Sequence, residues 1–199
     1  MNAKPRSVAG FTIMELMITL AVAGVLAAIA VPNMRDFIRN SRLTGGANDL
    51  LRSVQVARSE AIKRQTVVTA CASANPTATS PTCSGGAFTG WFVFQDLDND
   101  WQWDAGEPVI DTKTVAGGVT VRNNNNGRVS YASTGLANST PGQTPTNRIV
   151  ICDQRGDITA ENGNAVVRAI IIEPSGRARV TRDRTIVTGA LSATGGTCP

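Results

Sequence analysis

The chain has 199 residues with 19 Lys or Arg against 15 Asp or Glu, a formal charge of +4 that does not by itself indicate nucleic acid or a membrane surface as partner. Its length suits one domain better than two. Histidine, the usual general base and the commonest zinc ligand, is absent, which argues against hydrolytic triads and zinc chemistry, so no enzyme activity is expected.

The first 31 residues have the composition of a membrane-inserted segment behind a short basic leader. Residues 1–10 contain Lys4 and Arg6 and no acid, and an apolar run follows at 11–31. At roughly 1.5 Å per residue these 21 residues reach about 31 Å, the thickness of a bilayer hydrocarbon core. An ordinary signal peptide would be cleaved after its apolar run. The pattern predicts a leader at 1–10 and a membrane-spanning helix at 11–31, with the positive flank in the cytoplasm.

Glu15 is out of place in this apolar run, because a carboxylate is costly at membrane depth and marks a functional site. If the leader is cut between Gly10 and Phe11, the new α-amino group of Phe11 is a cation at a suitable depth to pair with Glu15 of a neighbouring copy. Such a pair would set the axial register of an assembly. The alternative is that Glu15 lies near the membrane interface and extends to water.

The run Gly-Phe-Thr-Ile-Met-Glu at 10–15, the apolar helix and Pro32 together resemble the class III signal of type IV pilins and type II secretion pseudopilins. The resemblance implies that a prepilin peptidase cuts after Gly10 and N-methylates Phe11, and that Glu15 and Pro32 serve assembly. It implies an α+β fold in which one long N-terminal helix, half transmembrane and half amphipathic, packs on an antiparallel β-sheet head. It also implies single-pass insertion in the inner membrane, a periplasmic head, and later assembly with other pilins into an extracellular filament.

The helix is predicted to continue as an amphipathic segment over residues 32–64. Pro32 removes one helix hydrogen bond and Gly24 adds a flexible point, so a kink is expected. Gly45 and Gly46 weaken the helix by about 1 kcal/mol each relative to alanine, which favours local unwinding. Apolar residues recur at spacings of three and four and predict one buried stripe: Leu43, Ala47, Leu50, Leu51, Val54, Ala57, Ala61 and Ile62. The outward face is predicted to carry Arg42, Asp49, Arg52, Arg58 and Glu60.

Residues 65–199 are predicted to form a β-rich head, because short β-prone runs alternate there with Gly, Asn, Pro, Ser and Thr. Strands are expected at 66–71, 90–95, 118–122, 128–132, 148–152, 166–173 and 178–181. The run at 123–127 (Asn-Asn-Asn-Asn-Gly) suits a hairpin loop and the run at 174–176 (Pro-Ser-Gly) suits a tight turn. Residues 72–86 and 133–146 are expected to be polar loops.

Four cysteines are spread through the head without a CxxC pair, and an even number in an exported domain predicts two disulfides. Three connectivities are possible. Proximity favours Cys71 with Cys83, which closes a short loop, and Cys152 with Cys198, which ties the C-terminus to a strand. The alternative, four reduced buried thiols, requires a cytoplasmic location that the N-terminus argues against.

The head resembles the GspH/FimT branch of minor pilins and pseudopilins. The runs that carry the resemblance, in that branch's order, are Ala-Arg-Ser-Glu-Ala at 57–61, Gly-Trp-Phe-Val-Phe at 90–94, Cys-Asp-Gln-Arg-Gly at 152–156 and Gly-Arg-Ala-Arg at 176–179. The resemblance covers nearly the whole chain. It implies a structural subunit, either a minor pilin of a type IV pilus or a GspH-like minor pseudopilin of a type II secretion system.

An arginine cluster follows Gly176 and consists of Arg177, Arg179, Arg182 and Arg184. On an extended strand Arg177 and Arg179 share one face and can meet successive phosphates. In FimT-like proteins of naturally competent bacteria a Gly-Arg-x-Arg motif is associated with DNA binding, so the resemblance implies sequence-independent contact with double-stranded DNA. The alternative is that these arginines are solvated edge charges, or pair with acids of adjacent subunits.

An acidic run places carboxylates at positions one, three, five, nine and twelve of a calcium-loop register: Asp96, Asp98, Asp100, Asp104 and Glu107. Oxygen ligands at that spacing can surround a calcium ion. Trp101, however, occupies the position where a calcium loop ordinarily needs glycine, and no helix is predicted to follow. An acidic hairpin between two strands without a metal is therefore the favoured interpretation, and a calcium site is the alternative.

Overall fold

The computed structural model describes residues 10–84, 90–139, 147–157, 163–196 and 198. The chain divides into two compact units, one ending at Arg39 and the other spanning Asn40–Pro199, and each is described by itself. One helix, α1 (Ile13–Arg64), has 52 residues. The leader at residues 1–9 lies outside the described residues.

The first unit consists of the N-terminal part of α1. The Thr12 hydroxyl caps the helix by accepting a hydrogen bond from the backbone N–H of Glu15 at 3.1 Å. The helix is apolar and long enough to cross a membrane, with a mean hydropathy of 2.3 in its most apolar window, and none of that window is buried. As the sequence predicted, the helix does not end at Pro32, and the kink expected there stays a prediction.

In the second unit, α1 presents one apolar stripe to the sheets. Six of the eight predicted residues are fully buried: Leu43, Ala47, Leu50, Val54, Ala57 and Ala61. Leu51 is half-buried and Ile62 is 44% exposed, so the predicted stripe was too wide at its C-terminal end. The helix is continuous through Gly45 and Gly46, so the predicted unwinding was wrong. Packing of Leu43 and Ala47 on either side offsets the low helix propensity of the two glycines.

The end of α1 falls at Arg64, where the sequence predicted it. Gln65 adopts the left-handed conformation with φ 55°, and the backbone N–H of Thr66 donates to the Ala61 carbonyl at 3.3 Å. These features satisfy a carbonyl that the last helical turn leaves free. The chain then enters the first strand.

Among the described residues, eight strands and a second helix follow α1: β1 (Val67–Ser73), β2 (Gly90–Asp96), β3 (Val109–Thr114), β4 (Val119–Asn123), β5 (Arg128–Tyr131), β6 (Asn147–Asp153), β7 (Arg168–Ile172), β8 (Ala178–Thr181) and α2 (Arg184–Ala193). They form two antiparallel four-stranded sheets with the orders β3-β2-β1-β5 and β4-β6-β7-β8. The predicted α+β class, a long helix packed on an antiparallel head, is confirmed.

Several local predictions differ from the structure. β3 and α2 were not predicted, and β7 begins at Arg168 rather than at residue 166. Residues 123–127 do not form a hairpin loop, because β4 pairs with β6 while β5 pairs with β1, so this run crosses from one sheet to the other. The predicted loop at 72–86 begins inside β1, which extends to Ser73. Residues 85–86 and 140–146 of the two predicted loops lie outside the described residues.

In the part of the second unit that the structure describes, three apolar clusters hold the elements together. The largest lies between α1 and the inner faces of both sheets. A second lies between the outer face of β6 and β7 and α2, which contributes Val187, Ala190 and Leu191. The third is small and contains Cys71, Phe92 and Phe94 on the outer face of the first sheet. Successive side chains of a strand point to opposite faces of the sheet. Apolar side chains therefore cover the central strands of both sheets on both faces.

Candidate functional site

Glu15 is the one charged residue between positions 11 and 34, and it lies in the first turn of α1. Its backbone N–H is used in the cap with Thr12, and its side chain is exposed. Phe11, whose amine the predicted cleavage would create, is 84% exposed, as expected for a segment that awaits a membrane or another subunit. The ion pair predicted between Phe11 and Glu15 involves a second copy and stays a prediction. The proposed cleavage residue Gly10 is exposed, with no group within 4 Å of where a Cβ would lie.

The arginine cluster begins at Arg177, directly before β8, which is an edge strand of the second sheet. Ala178 and Val180 pack against the largest core, so Arg179 lies on the opposite face of the strand. The face shared by Arg177 and Arg179 stays a prediction, because Arg177 lies outside the strand. Arg177 is exposed, and among the described residues its side chain has no ion pair. Arg179 Nε lies 3.7 Å from Glu173 Oε1, and both side chains are nearly half exposed. An exposed pair at this distance contributes little stability, so Arg179 can exchange Glu173 for another anion.

Arg182 and Arg184 extend the cluster from the end of β8 to the start of α2. Arg182 Nε donates to the Ala165 carbonyl at 3.2 Å, while Arg184 is exposed as the first residue of α2. Between them, Asp183 caps α2 by accepting a hydrogen bond from the backbone N–H of Ile186 at 3.0 Å. The cap directs this carboxylate toward the helix N-terminus, where the helix dipole favours a negative charge.

Gly176 holds the turn that presents the arginine cluster. The tight turn predicted at 174–176 is confirmed, because the backbone N–H of Gly176 donates to the Glu173 carbonyl at 2.8 Å. Gly176 has φ +80°, and a Cβ there would lie 2.1 Å from the Gly135 carbonyl oxygen. Only glycine fits this backbone without movement. Gly176 therefore positions the arginine cluster, in addition to being the first residue of the predicted DNA-binding motif.

Arg58 was predicted to face outward, and this was wrong. Its guanidinium donates to the Gly135 carbonyl from Nε at 2.9 Å and to the Ser175 carbonyl from Nη2 at 3.1 Å. Arg58 thus joins α1 to the turn that begins the arginine cluster. The resemblance at residues 57–61 singled out this segment. Sequence spacing could not predict that Arg58 contacts Ser175, because the two residues are 117 positions apart.

The acidic run at residues 96–107, hereafter the acidic loop, connects β2 to β3. Asp96 is 1% exposed, and its Oδ2 accepts hydrogen bonds from the Thr69 hydroxyl at 2.7 Å and the Trp101 backbone N–H at 3.2 Å. Burial raises the pKa of Asp96, and the hydrogen bond from Thr69 opposes the rise. Glu107 is also buried, and its two oxygens accept from the backbone N–H groups of Leu97 at 2.7 Å and Asp104 at 3.0 Å.

A polar cluster near the start of the second unit was not predicted. The Arg155 guanidinium donates to Asp153 Oδ2 at 2.6 Å and to Asn40 Oδ1 at 3.1 Å, which ties α1 to the end of β6. Arg168 is buried beside it and donates to the Thr44 hydroxyl at 3.2 Å. Burial lowers the pKa of Arg168 to about 10, so the side chain stays charged at neutral pH.

Both disulfides join the cysteines that proximity favoured. Cys71 bonds to Cys83 across 12 residues and Cys152 to Cys198 across 46 residues. The first borders the small outer core, and the second lies in the cluster beneath α2. Disulfides of this kind persist in oxidising compartments.

An apolar N-terminal helix behind a short basic segment, together with an antiparallel β head, defines the type IV pilin-like class of filament subunits. Residues 5–31 match the family profile described as "Prokaryotic N-terminal methylation motif". Residues 46–189 match the one described as "Type II transport protein GspH". The chain therefore belongs to the GspH family, whose members are structural pilins and pseudopilins.

Several individual proteins are similar to this chain. The type IV major fimbrial protein FimA of Dichelobacter nodosus is 31% identical over 113 residues, which is 57% of this chain and 60% of that protein. The type IV major alpha-pilin of Moraxella bovis is 49% identical over 41 residues, 21% of this chain and 26% of the pilin. The chain thus spans less than two thirds of each of these relatives.

Two solved structures also align with the chain. The type IV minor pilin FimU of Pseudomonas aeruginosa aligns with a TM-score of 0.49 at 17% identity, covering 73% of this chain and 92% of FimU. The minor pseudopilin EpsH of the Vibrio cholerae type 2 secretion system aligns with a TM-score of 0.44 at 9% identity, covering 71% of this chain and 97% of EpsH.

Proposed function

We propose that the chain is a minor pilin of a type IV pilus. It is inserted once in the inner membrane through residues 11–31, with its head in the periplasm, and is then built into an extracellular filament with other pilins. The observation that carries the proposal is the exposed apolar run at 11–31, in which Glu15 is the one charge and which lies within the matched N-terminal methylation motif. Apolar surface of this extent requires lipid or neighbouring helices.

The processing step can be tested on the native protein. We expect the purified chain to begin at Phe11 with a methylated α-amino group, because a prepilin peptidase removes residues 1–10. Mass spectrometry of the intact protein and of its N-terminal peptide measures this directly. An intact Met1, or a cut beyond residue 31, would contradict the proposal.

A minor pseudopilin of a type II secretion system is the second candidate, favoured by the family match over residues 46–189. The two candidates differ in what fails when the chain is deleted. A pilus subunit is needed for pilus display, whereas a pseudopilin is needed for export of folded proteins across the outer membrane. Parallel measurement of surface pili and secreted exoproteins in a deletion strain separates them.

We further propose that the arginine cluster captures double-stranded DNA without regard to sequence. In support, Arg177 is exposed directly before an edge strand, Arg179 lies on the outer face of that strand, and Arg184 is exposed at the start of α2. Arg177 is exposed and Arg179 has only a weak exposed partner, so both can approach phosphates at small cost. Arginine also forms bidentate hydrogen bonds with phosphate oxygens.

A mobility-shift titration of the full-length chain in detergent micelles tests the DNA proposal. Arg177→Ala combined with Arg179→Ala should weaken binding roughly 10- to 100-fold at moderate salt and reduce the slope of log K against log salt by about two. Arg42→Ala combined with Arg52→Ala is the matched control, because both residues are exposed on α1 and the charge change is the same. An equal loss in both double variants, or no loss in either, would overturn the proposal.

A further inference from the structure

The acidic loop concentrates negative charge in a chain that is positive overall. Five of its twelve residues are acids, and the loop contains no Lys or Arg: Asp96, Asp98, Asp100, Asp104 and Glu107. Among the described residues, these acids form two groups that share Asp98. In each group, one carboxylate oxygen from each residue lies within 4.8 Å of the corresponding oxygens of the other two. Like charges at this separation repel unless a cation or protons neutralise them.

Asp96 gives an observation independent of the clustering. Its Oδ2 accepts hydrogen bonds from Thr69 and Trp101, and the backbone N–H of Asn99 also interacts with this carboxylate. Its buried Oδ1 accepts no hydrogen bond of normal geometry from the described residues. A buried carboxylate oxygen without a well-placed donor is costly, because it has lost its water without gaining a full replacement. The same carboxylate belongs to the group formed with Asp98 and Glu107, so the residue with the unsatisfied oxygen is itself one of the clustered acids.

The spacing of the oxygens matches the dimensions of a calcium site. Calcium binds oxygen at about 2.3–2.6 Å, so two oxygens on one ion are at most about 5 Å apart. The group of Asp96, Asp98 and Glu107 meets this limit with separations within 4.8 Å. Glu107 is held in place by the backbone N–H groups of Leu97 and Asp104, so that carboxylate is oriented before any ion binds.

The structure also removes the objection raised by Trp101. This residue stands sixth in the loop, where a calcium loop uses glycine for a sharp turn. Trp101 nevertheless adopts the left-handed conformation, with φ 67°, and its side chain is 3% exposed. Burial of the indole and the hydrogen bond from its backbone N–H to Asp96 hold a turn that non-glycine residues rarely adopt.

We propose that the acidic loop is a calcium site, with Asp96, Asp98 and Glu107 as the central ligands and Asp100, Asp104 and water completing the coordination. Calcium suits this site better than magnesium because it accepts six to eight oxygens in a flexible arrangement, whereas magnesium demands near-ideal octahedral geometry. The ion fixes the connection between β2 and β3 over the small outer core, against which Trp103 packs. The proposal is independent of pilus assembly and of DNA capture.

The test uses the full-length chain in detergent micelles, first stripped of metal with EDTA and then titrated with calcium chloride. Trp101 and Trp103 lie in the loop, so their fluorescence should report binding directly. We expect a saturable change with a dissociation constant of about 0.1–1 mM, the range of extracellular calcium modules. The thermal unfolding midpoint should rise over the same concentrations, because the ion binds the folded state.

Asp98→Asn is the informative variant, because Asp98 is exposed, belongs to both acid groups and should fold normally as the amide. Calcium affinity should fall at least tenfold, while Asp49→Asn on exposed α1 surface serves as the charge-matched control and should bind as the native chain does. A flat titration up to about 10 mM calcium would overturn the proposal. An unchanged response in Asp98→Asn, or an equal response to magnesium, would overturn it as well.

Discussion

Glu15→Gln is expected to leave the chain processed and inserted in the membrane but to exclude it from the filament. Glutamine can occupy the third helical position of a capping box as glutamate does, so the start of α1 should be preserved. What is lost is the negative charge that would pair with the α-amino group of Phe11 in a neighbouring subunit. An ion pair at 4 Å contributes about 4 kcal/mol at an effective dielectric constant near 20, which corresponds to about a thousandfold in assembly.

Thr12→Ala is the control that weakens the helix cap and keeps the charge of Glu15. This variant removes the hydroxyl that accepts from the Glu15 backbone N–H, at a cost of about 1 kcal/mol to the helix, and leaves the carboxylate in place. We expect it to enter filaments normally. Membrane fractionation and immunoblotting of sheared filaments measure both variants. Normal incorporation of Glu15→Gln would contradict the proposed pairing.

The sequence predicted α1 well because its two halves carry strong local patterns. The apolar run at 11–31 and the three-and-four spacing from Leu43 both depend on near neighbours, and the C-terminal end at Arg64 coincides with the change to β-prone composition. The predicted unwinding at Gly45 and Gly46 was wrong because propensity alone ignores the tertiary packing that holds these residues.

The parts of the head that the sequence missed depend on distant partners. β3 ends in four consecutive polar residues, Asp-Thr-Lys-Thr, and becomes a strand by pairing with β2. The run at 123–127 has the composition of a hairpin loop, yet its flanking strands belong to different sheets. α2 was hidden within a C-terminal segment rich in Thr, Ser and Gly, although Asp183 three residues before Ile186 is a recognisable cap.

In the candidate sites too, the sequence predicted the features set by near neighbours and missed those that depend on distant residues. Spacing along the chain was sufficient to propose the face shared by Arg177 and Arg179 and the oxygen ligands of the acidic loop, because both patterns are local. Arg58 and Arg155 were missed because their partners lie 77 and 115 residues away. The left-handed turn at Trp101 could not be predicted, since residue type argues against it and only the buried environment of the indole explains it.

Removal of the Cys152–Cys198 disulfide is expected to destabilise the head more than removal of the Cys71–Cys83 disulfide. In the chain-entropy description, a closed loop of 46 residues contributes about 4 kcal/mol and one of 12 residues about 3 kcal/mol. We therefore expect Cys198→Ala to lower the thermal unfolding midpoint by about 10 °C and Cys83→Ala by a few degrees less. The partner thiols left behind, on Cys152 and Cys71, are buried and tolerated as small apolar groups.

The position of the longer disulfide adds a local effect that distinguishes the two variants. Cys198 packs in the same cluster as Val187 and Leu191, so its bond to β6 holds the segment after α2 against the sheet. In Cys198→Ala, the amides of α2 should exchange hydrogen faster than those of β6 and β7, because the helix can detach without global unfolding. In Cys83→Ala, α2 should retain native protection. Equal destabilisation by both variants, or unchanged exchange in α2, would show that loop entropy and helix tethering do not govern stability here.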